Sequence, residues 1–137
     1  MVPRSDRTRT SSTGDARLYL QKAEEFLASM ELALDAGHWD AGGLAAIHAG
    51  ISAADAVLSY RGGVRSASQD HRVAADLLVQ VLGPVGNDGA KHLRRLVQKK
   101  TLVAYEQRRL TESEALDLAE HARRMLKWAR TQVPTRS

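Results

Sequence analysis

Apolar residues recur every three or four positions along this chain, the spacing that lines one face of an α-helix. Every long segment follows that rhythm rather than the alternation of a strand, and no internal repeat is visible. A first helix is predicted from about Asp15 to Ala36, with Tyr19, Ala23, Phe26, Met30 and Leu34 on its inward stripe. Ser12 or Thr13 can cap its start, and Gly37 is a natural stop. A second helix spans about Asp40 to Arg61, with Leu44, Ile47, Ile51, Ala54 and Leu58 inward and Gly62–Gly63 at its end. It contains Gly42, Gly43 and Gly50. Each glycine costs about 1 kcal/mol against alanine inside a helix, so a close neighbouring helix or a second subunit is expected to compensate.

A third helix is expected from near Ser68 to about Leu82, capped by Ser66 or Ser68, and Ser66 with Gln69 has capping-box spacing. The turn GPVGN breaks the chain, and Asn87 or Asp88 starts a fourth helix reaching about Gln107. The last segment, LTESEALDLAEHARRMLKWAR, opens on the capping box Thr111 and Glu114, and Pro134 stops it. The expected architecture is all-α: an up-and-down antiparallel bundle of four main helices plus one shorter helix, over residues 15–132. A disordered basic tail is expected over residues 1–14, and a disordered C-terminus over 133–137.

Composition narrows the picture. A chain of 137 residues is one domain by length. It has no cysteine, which excludes disulfides and thiolate metal sites and fits a cytoplasmic location. No run approaches the roughly 20 apolar residues of a membrane span, so no membrane partner is expected. The net charge is +4, and its distribution matters more than its size. Lys91, Arg94, Arg95, Lys99, Lys100, Arg108 and Arg109 lie in one stretch that holds only Glu106 as an acid. That stretch is either a solvated helix face or a surface for RNA, a nucleotide or an acidic partner.

The informative residues are polar ones on apolar stripes. His48 lies on the inward face of the second helix, and Asp55 follows seven residues later on the same side. A buried carboxylate needs partners, and His48, Arg61, Arg65 and His71 are the candidates. The pair reads as a structural network, as acid and base, or as ligand contacts. Arg65 and His71 are six positions apart across the predicted head of the third helix. No two of the five histidines are four residues apart, and no Glu-x-x-His occurs, so neither metal nor cofactor is expected. Aromatic residues are too scattered for a base-stacking platform.

The opening helices, YLQKAEEFLASMELALDAGHWDAGGLAAIHAGISAADAVL, and the closing pair, HLRRLVQKKTLVAYEQRRLTESEALDLAEHARRMLKWA, resemble a HEPN domain, an all-helical family of prokaryotes and higher eukaryotes. The resemblance covers about residues 15 to 130. It implies a homodimer and, in the ribonucleases of the family, an arginine and a histidine separated by four to six intervening residues, late in the domain and near the dimer interface. Arg65 and His71 match that spacing but lie earlier. At the matching position stands KKTLVAY, with Lys100 for the arginine, Thr101 where an asparagine often follows, and Tyr105 for the histidine. Lysine keeps the charge but loses the fork that grips phosphate, and tyrosine is a poor base at neutral pH.

Three functions are therefore in play. The first is a dimeric, non-catalytic module that binds RNA, a nucleotide or a partner protein through Lys99, Lys100, Tyr105, Arg108 and Arg109. The resemblance adds a toxin–antitoxin-like setting with a small nucleotidyltransferase as companion. The second is a metal-independent ribonuclease with a relocated site built from Arg65, His71, His48 and Asp55. The third is a structural scaffold.

Overall fold

A computed structural model describes residues 8–68, 70–106 and 108–134. Among the described residues the fold is all-α apart from one small strand pair. Helix α1 (Thr13–Asp35) starts where Ser12 Oγ accepts from the Asp15 backbone at 3.1 Å and Asp15 returns the bond to the Ser12 N–H at 3.0 Å. It ends on Gly37, whose φ of 74° lets His38 N–H reach Ala33 O at 2.9 Å and Gly37 N–H reach Leu34 O at 3.0 Å. Helix α2 (Trp39–Gly62) is the hub, since it touches every other helix. By length and hydropathy it is apolar enough to cross a bilayer, but two thirds of that apolar window is buried inside this bundle.

The glycines of α2 are explained within the chain. A Cβ at Gly42 would press on Leu34, one at Gly43 would overlap Leu110, and one at Gly50 would overlap Leu96. Three leucines from α1, the loop before the last helix and the fourth helix thus approach α2 more closely than alanine permits. Burial of Leu58, Leu78, Leu93 and Met125 on one side, and of Met30, Ile47, Leu96 and Leu118 on the other, continues the core to both ends.

Four expectations are corrected beyond this point. The tail expected to be disordered over 1–14 is ordered from Thr8. Strand β1 (Thr8–Thr10) pairs antiparallel with β2 (Val64–Ser66), and Thr13 and Gly14 already belong to α1. Residues 1–7 lie outside the described residues. Helix α3 (Arg72–Leu82) begins four residues later than expected, because β pairing holds Val64–Ser66 extended. Ser66 is therefore no cap, and Gln69 lies outside the described residues. His71 stands at the N-cap without a side-chain cap bond, and Asp70 just before it accepts from the Arg72 N–H at 3.1 Å.

After a single 3₁₀ turn over Gly83–Val85, α4 (Gly86–Gln98) and α5 (Lys100–Tyr105) replace the one expected helix. The polar run Gln98 to Thr101 offers no inward apolar residue, and at Lys99 the N–H bonds Leu96 O in a tightened turn. Helix α6 (Glu112–Gln132) keeps the predicted capping box, with Thr111 Oγ1 accepting from Glu114 N–H at 3.1 Å and Glu114 from Thr111 N–H at 2.9 Å. Val133, expected to be disordered, is buried in the core, and residues 135–137 lie outside the described residues.

Candidate functional site

Three local features shape one cleft. Gly63, in the left-handed region at φ 65°, turns the chain from α2 into β2. Pairing with β1 holds Arg65 and Ser66 extended beside the last turns of α2. The break at Lys99 sets α5 across the opening. The resulting cleft has a volume of about 760 Å³, within the range of small-ligand sites. Asp55 of α2, Arg65 and Ser66 of β2, His71 before α3, and Lys100 and Tyr105 of α5 all line it.

Residues that are distant in sequence thus meet here. Arg65 and His71 share the cleft with Asp55 and with both members of the KKTLVAY motif, Lys100 and Tyr105. His48 is not in its lining; it stacks on Phe26 with ring centroids 5.3 Å apart, close enough to Lys100 and His71 to share their electrostatics. Lys99, Arg108 and Arg109 stand elsewhere. Arg108 forms a bidentate pair with Glu114 at 2.9 and 2.8 Å, Lys99 lies 3.7 Å from the same carboxylate, and Arg109 pairs with Asp40 at 3.1 Å.

The electrostatics of the cleft follow from burial. Burial pushes the Asp55 carboxyl up to about 6, against the opposing pull of Arg65, the Ser66 N–H and Lys22. His71 is held below its ordinary value, first by burial and then by Lys100 and His48, so at neutral pH it is an uncharged ring able to accept a proton. Burial, Lys100 and Lys22 lower His48 in the same way. The other acid of the cleft, Asp70, is engaged by the Arg72 guanidinium at 2.9 and 2.8 Å and held down at about 2. Among the described residues, the Arg65 guanidinium donates to the Ser66 carbonyl at 3.3 Å. Among the described residues neither Arg65 nor Lys100 is held in an ion pair. Ser66 Oγ is buried and has no hydrogen-bond partner among the described residues. Among the described residues, two cations outside any ion pair and a buried hydroxyl without a partner make a cleft suited to an anion, beside an acid whose pKa burial raises.

Two contributions were hidden in the sequence. Tyr19, read as part of an apolar stripe, has its hydroxyl near Arg65 and Asp55, and burial raises its pKa. His92 of α4 and His121 of α6 meet with Nδ1 atoms 3.0 Å apart, a contact across 29 positions that no local spacing announces. Among the described residues no group of three or more histidine or carboxylate side chains is placed to hold a metal ion.

Comparison with known proteins agrees with the fold. The family model described as HEPN domain matches residues 16–132. A search of curated proteins found no match.

Proposed function

The chain belongs to the HEPN family, and from that premise we propose that its cleft is a non-catalytic binding site for the phosphates of RNA or of a nucleotide. The observation that carries this reading is the meeting of Arg65 and Lys100, neither in an ion pair among the described residues, in a cleft where Asp70 is taken up by Arg72 and burial raises the pKa of Asp55. A guanidinium presents a fork that matches phosphate oxygens, and the Lys100 ammonium adds a point charge beside it. Ser66 Oγ supplies a hydroxyl that a bound oxygen would satisfy.

Fluorescence anisotropy with a labelled single-stranded oligoribonucleotide at two salt concentrations tests the reading. Binding should weaken steeply as salt rises, because phosphate contacts release counterions. Competition with a mononucleotide then separates the two ligands. Absence of binding at low salt would sink the proposal.

A second reading, a metal-independent ribonuclease, is supported by one specific feature: Arg65 lines the same cleft as an uncharged His71. His71 would accept the proton of the 2′-hydroxyl as that oxygen attacks phosphorus. Protonated Asp55 would give a proton to the departing 5′-oxygen, and Arg65 would hold the charge that builds on the phosphate. RNA degradation that disappears in His71→Ala, with RNA binding retained, would favour this reading over the first.

Pairing of two copies is part of the proposal on the strength of the family alone, since the glycines of α2 are packed by leucines of the same chain. Light scattering should give twice the 15.0 kDa of one chain.

A further inference from the structure

Helix α5 is seated by Leu102 and Val103, which are partly buried against the core. Thr101 and Tyr105, four residues apart on one helix face, both line the cleft. Tyr105 is the one phenylalanine, tyrosine or tryptophan among the described residues of that lining. It is 77% exposed, the most of any large apolar side chain among the described residues. A ring that the chain leaves uncovered thus stands at the rim of a cleft where Arg65 and Lys100 offer two cations to an anion. Lys100 opens the helix that Tyr105 closes, and five helical residues rise about 7.5 Å along the axis. That is comparable to the reach of a nucleotide from its phosphate to its base. The cleft does not end there. A second hollow of about 440 Å³ continues from it past Asp70, Arg72 and Gln98, which line both. Its arginines, Arg72 and Arg94, are held by Asp70 and Asp76 at 2.8 and 3.1 Å, so it adds room rather than free charge. A groove that runs on suits a strand better than a free nucleotide.

We infer that Tyr105 stacks on one unpaired base of a single-stranded RNA whose adjoining phosphate is held by Arg65 and Lys100, so that the cleft selects unpaired nucleotides over duplex. This rests on the reading of the cleft as a phosphate site. In a duplex both faces of a base are covered by its neighbours, whereas an unpaired base can be splayed out onto an aromatic ring. One ring makes one stacking station. The preference is therefore for strandedness and not for sequence, since every base has a π-face. The ring carries no charge, so the salt dependence of binding stays with the two cations.

The test uses the full chain and the same labelled oligoribonucleotide, with Tyr105→Ala, Tyr105→Leu and Tyr105→Trp. The competitors are the unlabelled strand, that strand annealed to its complement, a mononucleotide, and inorganic pyrophosphate, which carries phosphate without a base. The parent should prefer the single strand to the duplex by about tenfold. Tyr105→Ala should weaken single-strand binding about fivefold to a hundredfold, the worth of one base–aromatic stack, and narrow that preference. Its salt slope and its competition by pyrophosphate should stay as in the parent. Tyr105→Leu should lose nearly as much, because it keeps apolar bulk without a π-face. Tyr105→Trp should bind at least as tightly as the parent, and its emission should be quenched further on binding, since Trp39 and Trp128 are not among the described residues lining the cleft. Thermal melting should be the same for all four proteins, because the ring is exposed. If the parent binds the single strand and Tyr105→Ala matches it in affinity and in preference over duplex, the inference is wrong while the cleft stands. The same holds if Tyr105→Ala weakens pyrophosphate as much as RNA, since the ring would then act on the phosphate site and not on a base. A mononucleotide that competes as well as the strand would overturn the assignment to a strand. If the parent fails to bind RNA at low salt, the reading of the cleft fails first and the inference with it.

Discussion

Two sets of basic residues invite comparison, those on the exit loop before α6 and those around the cleft. In the sequence they look alike, and the exit loop is the denser. In the structure Arg108 and Lys99 converge on Glu114, while Arg109 joins Asp40 in securing the loop to the start of α2. Asp40 also accepts from the Leu110 N–H at 2.7 Å, and Leu110 seats its side chain on Gly43. These charges fasten one part of the chain to another. Around the cleft the reverse holds: Arg65 and Lys100 lack a carboxylate partner within ion-pair distance among the described residues, and burial makes Asp55 easier to protonate than an ordinary carboxylate. What marks the candidate site is therefore the absence of compensation, not the density of charge.

Exchanging the roles of the two groups breaks this comparison most directly. Arg65→Ala should reduce RNA affinity at least tenfold, about 1.4 kcal/mol, whereas Arg109→Ala should change it less than twofold. Equal losses in the two variants, measured by anisotropy, would mean that charge density alone governs binding.

Asp55 supplies the next test, in stability. Its folded pKa, about 6, lies above the ordinary value of 3.8, so the folded chain holds the proton more tightly than the unfolded one. Stability from this group is fully present below pH 4 and declines as pH rises through 6. Asp55→Asn should therefore raise stability at pH 7.5 by about 1–3 kcal/mol, with the gain vanishing near pH 4 in chemical denaturation. RNA should also bind the parent more tightly at pH 5.5 than at 7.5, as Asp55 loses charge. Such a residue, unfavourable for the fold and lining the cleft, is what a site under functional selection retains.

Asp40 sharpens the contrast from the other side. Its carboxyl is held below the usual range, first by the Leu110 N–H and then by Arg109. The stability it supplies is present above pH 3.8 and is lost as pH falls through its lowered value. Asp40→Ala should cost about 1 kcal/mol in denaturant unfolding at pH 7 and leave RNA affinity unchanged.

The legibility of the molecule divides along the same line. Both ends of α1, the close of α2 and the start of α6 could be read because their signals are local: a serine three residues before an aspartate, a glycine after the last turn, a threonine three before a glutamate. The β1–β2 ribbon could not, since three-residue strands 54 positions apart carry no alternation, and its formation removed Ser66 from the capping role its spacing suggested. The helix break at Lys99 was hidden because Gln98, Lys99 and Lys100 are good helix formers, and only the missing apolar contact betrays it. Arg65 and His71 were visible as a pair, but that Asp55 and Lys100 join them is decided by packing. The Lys99, Arg108 and Arg109 cluster misled for the converse reason: which carboxylates would meet it depends on how α6 and α2 are docked.

The smallest effect belongs to Arg108. It is the leading cause of the depression of Glu114 to about 2, but the Thr111 N–H acts in the same direction and remains when the arginine is gone. Arg108→Ala should therefore raise the Glu114 pKa only part of the way back to 4.5, as read by carboxyl chemical shifts. The pair is solvent-exposed, and exposed ion pairs add little to stability, so the melting temperature should barely move. RNA affinity should not move either, because the guanidinium faces the helix cap rather than the cleft. A measurable loss of RNA binding in this variant would place the exit loop in the ligand's path and erase the distinction between cations that fasten the chain and cations that wait for an anion.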